Sequence, residues 1–433
     1  MAGLDHAAAG ASGATSAPAA PRRDWRPWVT AFLLVAAVAT FALWLTRGWV
    51  AIGVPHFDPQ LEPFSDAFVV LWGPEQCAAG NGEWVKGACF VPSVAAQAHA
   101  QTYEPWLTFF RWGLGSDHHV PVSVLVIALF YLALALTLKP ASAGELALCL
   151  LLVATPAVQL GVERANFDLL ICAMLCLSAW LLGRGRPLPA AAGALVLSVA
   201  TMLKIYTGLA CALAWVIARS SRTSTVAAAA VATVLALAVL GPETIAALDQ
   251  GAPEGTTRFS TGAHWLFRQR GPVAAWSVMV LALIAAGAGL ALLRKAPAPR
   301  FDAWPYRAAA FNAAFLVAVP LFFLKDSYDY RMVLWLPCLA LPLAWLRGGV
   351  HRDWRRIAAI TVGLYLVTAG AELPCFLLDA WARSTGAGWT RTAVSALIYV
   401  KQVAAWLLVA ALGLIFGFGM AQKIAAFGRG TRG

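Results

Sequence analysis

Apolar residues in this chain come in long unbroken runs, cut by short polar or Gly-Pro punctuation. They do not alternate with polar residues. That pattern predicts helices that are apolar all round, not the apolar-out, polar-in alternation of a membrane β-barrel. The runs fall near 29–50, 120–138, 144–160 and 169–182, then in a short pair at 188–203 and 206–218. Others lie near 226–241, 272–293, 304–324, 332–346, 357–378 and 394–418. A span needs about 20 apolar residues, fewer where the helix is short or the bilayer thin. The expected fold is therefore an all-α polytopic membrane protein with about 10–12 transmembrane segments, some of them short and broken.

Composition narrows the class further. The 433-residue chain is 60% hydrophobic and 12% charged, with a mean hydropathy of +0.71. Soluble domains run about 45–50% apolar and about 25% charged. A soluble enzyme, a coiled coil and an amphipathic fibre are excluded.

Charge then sets the orientation. Lys and Arg number 32 against 21 Asp and Glu, a formal net charge of +11. In a soluble chain that excess suggests nucleic acid; here its distribution among alternate loops matters, because basic residues are retained on the cytoplasmic side. With the N-terminus inside, the inner segments hold 19 of the 32 basic residues but only five of the 21 acids, Asp5, Asp24, Glu145, Asp302 and Asp353. The outer side is left net negative, so no nucleic-acid partner is expected. Residues 1–27 read as a disordered cytoplasmic tail, 28–418 as one transmembrane domain and 419–433 as a basic cytoplasmic tail. The run at 29–50 is long for a signal-peptide core and shows no small-residue cleavage site, so it reads as a retained first span. The expected location is the bacterial inner (cell) membrane, with both termini cytoplasmic.

The long connections lie on the outer side. The first, about 54–119, interleaves acids with aromatics and exceeds any simple helix connection. Within it, 65–73 and 93–112 are expected to form amphipathic helices on the membrane surface. A second outer loop covers 242–271. Cys77 and Cys89 bracket a Gly-rich run in the first loop and are expected to form a disulfide in an oxidising compartment. The other six cysteines lie in or beside spans, where cysteine acts as a small hydrophobe. His118 and His119 are adjacent and lack the partners of a zinc site.

Candidate chemistry is concentrated on the outer face. The short pair 188–203 and 206–218 carries Lys204-Ile205-Tyr206 at its turn. An ammonium at that depth costs about 2.5–3.5 kcal/mol on insertion scales unless it meets water or an anion. It either snorkels to the interface or awaits a phosphate. Asp66 opens an amphipathic segment among apolar neighbours and is the first candidate for a general base. Asp58, beside Pro59, is the second choice. Glu163, Arg164, Asn166 and Asp168 sit at an outer mouth between two spans, either closing a helix end as ion pairs or binding the hydroxyls of a sugar. Asp329 joins that polar set. Lys204, Arg331, Arg268, Arg270, His264 and Arg258 form a cationic group suited to phosphate. No Gly-x-x-x-x-Gly-Lys-Ser/Thr run and no soluble nucleotide domain occur, so an activated substrate is expected to arrive through the membrane.

Four segments together resemble a known group. Glu163-Arg164-Ala165-Asn166-Phe167-Asp168-Leu169-Leu170, the Arg184-Gly185-Arg186-Pro187 turn, Ala200-Thr201-Met202-Leu203-Lys204-Ile205-Tyr206 and the later Asp326-Ser327-Tyr328-Asp329-Tyr330-Arg331-Met332-Val333-Leu334-Trp335-Leu336-Pro337 are similar to segments of glycosyltransferase family 87 and related DUF2029 membrane proteins of the GT-C superfamily. The resemblance covers roughly 29–345 in layout and only those segments in residues. It implies a GT-C-like bundle with a large first periplasmic loop, a polyprenyl-phosphate-linked sugar donor, and a lipid or glycan acceptor. Transfer would invert the anomeric centre with Asp66 as base, without a metal or other cofactor. The competing readings are a secondary transporter and a non-catalytic or polymerase-like component of polysaccharide assembly. Convergence of Asp66, Lys204 and Arg331 on one outward site separates these readings.

Overall fold

The structure is a computed structural model that describes residues 24–46, 64–81, 83–85, 88–92, 99–103, 113–217, 260–324, 327–385 and 389–430. Asp58, Arg258 and the expected span at 226–241 lie outside the described residues. The chain begins with α1 (Arg26–Thr46), then α2 (Ser65–Ala78) and a small antiparallel sheet of β1 (Glu83–Val85), β2 (Ala88–Pro92) and β3 (His99–Tyr103). Helices α3 (His119–Leu138), α4 (Ala143–Val153), α5 (Pro156–Glu163), α6 (Asp168–Leu182) and α7 (Pro187–Leu203) follow. Two short turns of helix, α8 (Gly208–Ala212) and α9 (Ala214–Ile217), complete the first half.

The second half holds β4 (Ser260–Thr261), α10 (Ala263–Leu293), α11 (Pro305–Leu324) and β5 (Ser327–Tyr328). A 3-10 stretch over Asp329–Leu339 leads into α12 (Ala340–Leu346). The chain then runs through α13 (Arg352–Gly370), α14 (Glu372–Thr385) and α15 (Thr390–Gly430). Among the described residues, five helices are long and apolar enough to cross a membrane, six if α4 and α5 count as one bent span, and four shorter apolar helices accompany them.

Helix α3 illustrates why these runs form spans. Its 20 residues cover about 30 Å, the thickness of the hydrocarbon core. Val126, Ile127, Phe130, Tyr131, Leu134 and Leu138 recur at helical spacing and are buried. Leu125, Leu129, Leu132 and Leu136 on the other side are exposed, which is the arrangement expected of a face solvated by lipid rather than water. At its end, Lys139 takes a left-handed turn, φ 44°. Arg307 and Arg347 donate to the freed Leu138 carbonyl at 3.0 and 3.1 Å. Arg347 also meets Glu145 at 2.8 Å. This basic knot caps the helix C-terminus, where cations are favoured.

The run at 144–160 is two helices bent by 64°. Pro156 cannot supply an amide to the ladder, and it opens α5 at the first helical position. The bend brings α5 to end at the turn 164–167. Helices α6 and α7 pack closely at Gly193, where an added Cβ would fall 3.1 Å from the Ser178 carbonyl. Ser178 Oγ donates to the Gly193 carbonyl at 3.0 Å in return. The 3-10 stretch runs through the middle of the bundle, with Met332 through Leu339 all buried.

One expectation for the first loop is corrected and another is extended. No helix spans 93–112 among the described residues: His99–Tyr103 is a strand paired with Ala88–Pro92, Cys89 opposite Thr102. The β2 segment Ala-Cys-Phe-Val-Pro is rich in strand formers, and pairing with it outweighs a marginal helical period. The expected helix at 65–73 extends to Ala78, and its start is docked on the bundle. Phe64 N donates to the Glu163 carbonyl at 3.0 Å and Asp66 N to the Arg164 carbonyl at 3.1 Å. Cys77 is disulfide-bonded. The six span cysteines are buried and outside any disulfide, and Cys89, in β2, is the remaining one.

Candidate functional site

The docking of α2 onto the 163–168 turn places Asp66 at the edge of the bundle, its side chain 14% exposed. Its Oδ1 accepts from Arg164 Nε at 2.8 Å, and its Oδ2 from Asn166 Nδ2 at 2.6 Å. The turn itself is tight. Ala165 is buried at φ 47°, and Asn166 Oδ1 accepts from the backbone amide of Asp168 at 2.8 Å. One asparagine thus holds the catalytic candidate with its amide and the first turn of α6 with its carbonyl.

Asp168 is 1% exposed. Tyr206 donates a short hydrogen bond to its carboxylate. Lys204 Nζ lies 3.9 Å from Oδ1 and Arg331 Nε 3.6 Å from Oδ2. The two cations are 29% and 24% exposed. The Arg331 guanidinium also sits over the Tyr206 ring at 6.0 Å, the outer reach of a cation–π contact.

Local sequence explains why these groups are presented. Helix α7 stops at Lys204, whose backbone is extended, φ −146° and ψ 102°. Thr207 Oγ1 donates to the Lys204 carbonyl at 3.0 Å and to Thr201 Oγ1 at 3.1 Å, satisfying the break from within. Arg331 is the third residue of the 3-10 stretch. That stretch is preceded by β5, which pairs with β4, Ser260 opposite Tyr328 and Thr261 opposite Ser327. Gln402 of α15 accepts from Gly262 N just beyond β4 at 3.4 Å.

Six of the residues singled out in the sequence are brought into one network: Asp66, Arg164, Asn166, Asp168, Lys204 and Arg331. Glu163 takes part through its backbone carbonyl. Arg268 and Arg270 are exposed on α10, ahead of a break at Gly271, φ 80°. His264 lies in the same helix and Asp329 opens the 3-10 stretch. Tyr206 is the member that the sequence pattern did not single out, since a phenol beside a span turn reads as an interfacial aromatic. Among the described residues, no three His, Cys, Asp or Glu side chains gather as a metal site.

A groove of about 530 Å³ runs between α10 and α15. Met279, Leu283, Leu290, Phe323, Trp406 and Leu414 are among its walls. Phe323 and Trp406 meet edge to face at 5.6 Å. Phe323 lies eight residues before Arg331 in the chain.

Fold and site together define a multi-pass helical membrane protein with a charged network where a broken helix, a docked loop helix and a 3-10 stretch converge. No family model matches the sequence, and no curated protein matches it. Among solved structures, ArnT from Cupriavidus metallidurans bound to undecaprenyl phosphate is similar at 15% identity, with a TM-score of 0.39 over 92% of this chain and 78% of that one. ArnT from the same organism in the apo state is similar at 13% identity, with a TM-score of 0.37 over 89% and 78%.

Proposed function

We propose that this chain is an integral-membrane glycosyltransferase that moves a sugar from a polyprenyl-phosphate-linked donor to a lipid or glycan hydroxyl on the outer face, with inversion. The observation that carries this reading is the continuous set of contacts from Asp66 through Asn166 to Asp168, Lys204 and Arg331. It couples a part-exposed carboxylate to a pair of part-exposed cations, the two elements that deprotonation of an alcohol and departure of a phosphate require.

An ionised carboxylate has about four acceptor positions. Arg164 and Asn166 donate three hydrogen bonds to Asp66, which leaves room for one acceptor hydroxyl. In the proposed reaction that hydroxyl oxygen attacks the anomeric carbon and its proton passes to Asp66. The bond from the anomeric carbon to the phosphate oxygen breaks, and Lys204 and Arg331 stabilise the charge that develops on the departing phosphate. Arg164 and Asn166 fix the carboxylate, and the polar 163–168 turn supplies the groups that hold the sugar. The apolar groove between α10 and α15, with Phe323 shortly before Arg331 in the chain, suits the hydrocarbon tail of the donor. The basic cap around Lys139, Arg307 and Arg347 at the other end of α3 supports an orientation with both termini cytoplasmic.

The test is transfer of radiolabel from polyprenyl-phosphate sugars to a membrane extract by purified protein, comparing wild type with Asp66→Asn. Label transfer by the wild type and its loss in a folded, lipid-binding variant are expected. Near-normal turnover of Asp66→Asn removes Asp66 from the role.

A further inference from the structure

We propose that the end of α3 opposite the charged network is a seat for the phosphate of an anionic phospholipid, held by Lys139 and Arg307 beside the rings of Trp25 and Tyr306. This does not rest on the donor reading above.

The seat lies on the far membrane face. Helix α3 starts beside α2, the helix of Asp66, where Ser116 N donates to the Glu75 carboxylate at 3.1 Å. Its 20 residues carry the chain about 30 Å across the hydrocarbon core to Lys139. Trp25 is half-buried and Tyr306 exposed, as suits amphipathic rings at headgroup depth. The Tyr306 ring lies against Gly183, where an added Cβ would fall 3.0 Å from it.

Three cations meet one carboxylate there. Arg307 and Arg347 both donate to the Leu138 carbonyl, and Arg347 donates also to the Lys139 carbonyl at 2.6 Å. Glu145 pairs with Arg347 and accepts from Ala141 N at 2.6 Å, so the acid is committed to the start of α4. The two arginines therefore complete the helix cap. The Lys139 side chain takes no part in it. Its ammonium lies 5.1 Å from the Trp25 ring and 5.6 Å from the Tyr306 ring, and among the described residues no protein acceptor meets it. Arg307 makes one hydrogen bond, to Leu138, and keeps its other donors.

The choice of residue at 139 also needs a reason. At φ 44° the usual occupant is Gly or Asn, and a lysine strains the backbone without serving the cap. Burial first, and the like charge of Arg307 second, push its ammonium below the ordinary lysine range. A phosphate shared by the two side chains turns that repulsion into attraction. Leu132 and Leu136, seven and three positions before Lys139, are exposed and offer a flank to acyl tails. A zwitterionic headgroup would bring its own cation to the site, and a free phosphate would leave that flank unused. A basic pocket between spans at headgroup depth fits an anionic lipid.

The experiment is native mass spectrometry of the purified full chain in detergent, reading the dissociation constant of the first bound lipid. The probes are dioleoyl phosphatidylglycerol, dioleoyl phosphatidylcholine with the same tails, and inorganic phosphate as competitor. Lys139→Asn removes the ammonium and suits the left-handed backbone; Lys139→Arg keeps the charge; Arg294→Gln removes an exposed cation elsewhere. Wild type and Lys139→Arg are expected to prefer phosphatidylglycerol. Lys139→Asn should weaken phosphatidylglycerol by about tenfold, the loss of one charge-assisted contact, and leave phosphatidylcholine unchanged, while Arg294→Gln matches wild type. Equal binding of the two lipids by wild type overturns the proposal. So does an equal loss in Lys139→Asn and Arg294→Gln, which would mean diffuse attraction rather than a seat. Displacement of phosphatidylglycerol by inorganic phosphate at comparable concentration overturns the assignment to a lipid. Should Lys139→Asn not fold, Arg307→Gln carries the test, with the same selective loss expected and an unchanged preference overturning it.

Discussion

Two buried ionic sites in this molecule share a chemical inventory and differ in everything else. Glu372 of α14 and Lys401 of α15 meet at 2.6 Å with side chains 4% and 1% exposed. One charge answers one charge, and the pair staples two helices. At Asp168, one carboxylate faces two cations at 3.6 and 3.9 Å, and each cation remains about a quarter exposed. The first arrangement is closed: opening it costs desolvation with nothing gained. The second keeps both of its cations within reach of solvent. Access to the charged groups, rather than burial of charge as such, marks the site that can take a ligand.

Substitutions can break this contrast in graded ways. The largest effect is expected for Asp66→Asn, which should lower transfer by about 10²–10⁴-fold while thermal unfolding in detergent stays within about 1 kcal/mol of wild type, a typical single-substitution change. Lys401→Met should do the reverse. It leaves Glu372 buried without its cation and should cost about 3–5 kcal/mol of stability, read as a lower unfolding midpoint. Adding Glu372→Leu should restore most of that loss. Arg331→Met removes one of the two phosphate cations, a charge-assisted contact of about 1.5–3 kcal/mol. Donor KM should rise roughly 10–100-fold, since each 1.36 kcal/mol is tenfold. The smallest effect is expected for Gly193→Ala, where a Cβ 3.1 Å from the Ser178 carbonyl must push α6 and α7 apart. The cost should be about 1–3 kcal/mol, seen in the unfolding midpoint with donor KM little changed.

Much of the architecture was legible because apolar runs in lipid have few alternatives to helix. The expected short pair with a lysine at its turn reappears as α7, Lys204 and α8. The proline at 156 carried the signal for a bend, yet the run 144–160 reads as one span because hydropathy is blind to direction. The strand at His99–Tyr103 was hidden for a related reason: its pairing depends on a separate partner segment, Ala88–Pro92. At the site, residue types were readable and contacts were not. Asp66 stands out in the sequence, but nothing local says that Asn166, a hundred positions later, will hold it. Arg268, Arg270 and Arg331 look alike as outer-loop cations. Only the 3-10 stretch, threaded through the bundle, carries Arg331 to Asp168, while the other two stay exposed on α10.

The short ladder between β4 and β5 has a mechanical meaning. Ser260 and Thr261 are tied to Ser327 and Tyr328, three positions ahead of Arg331, and Gln402 anchors the same strap from the long last helix. The start of the 3-10 stretch that carries Arg331 is thus tied, through two short strands, to the last long helix of the bundle.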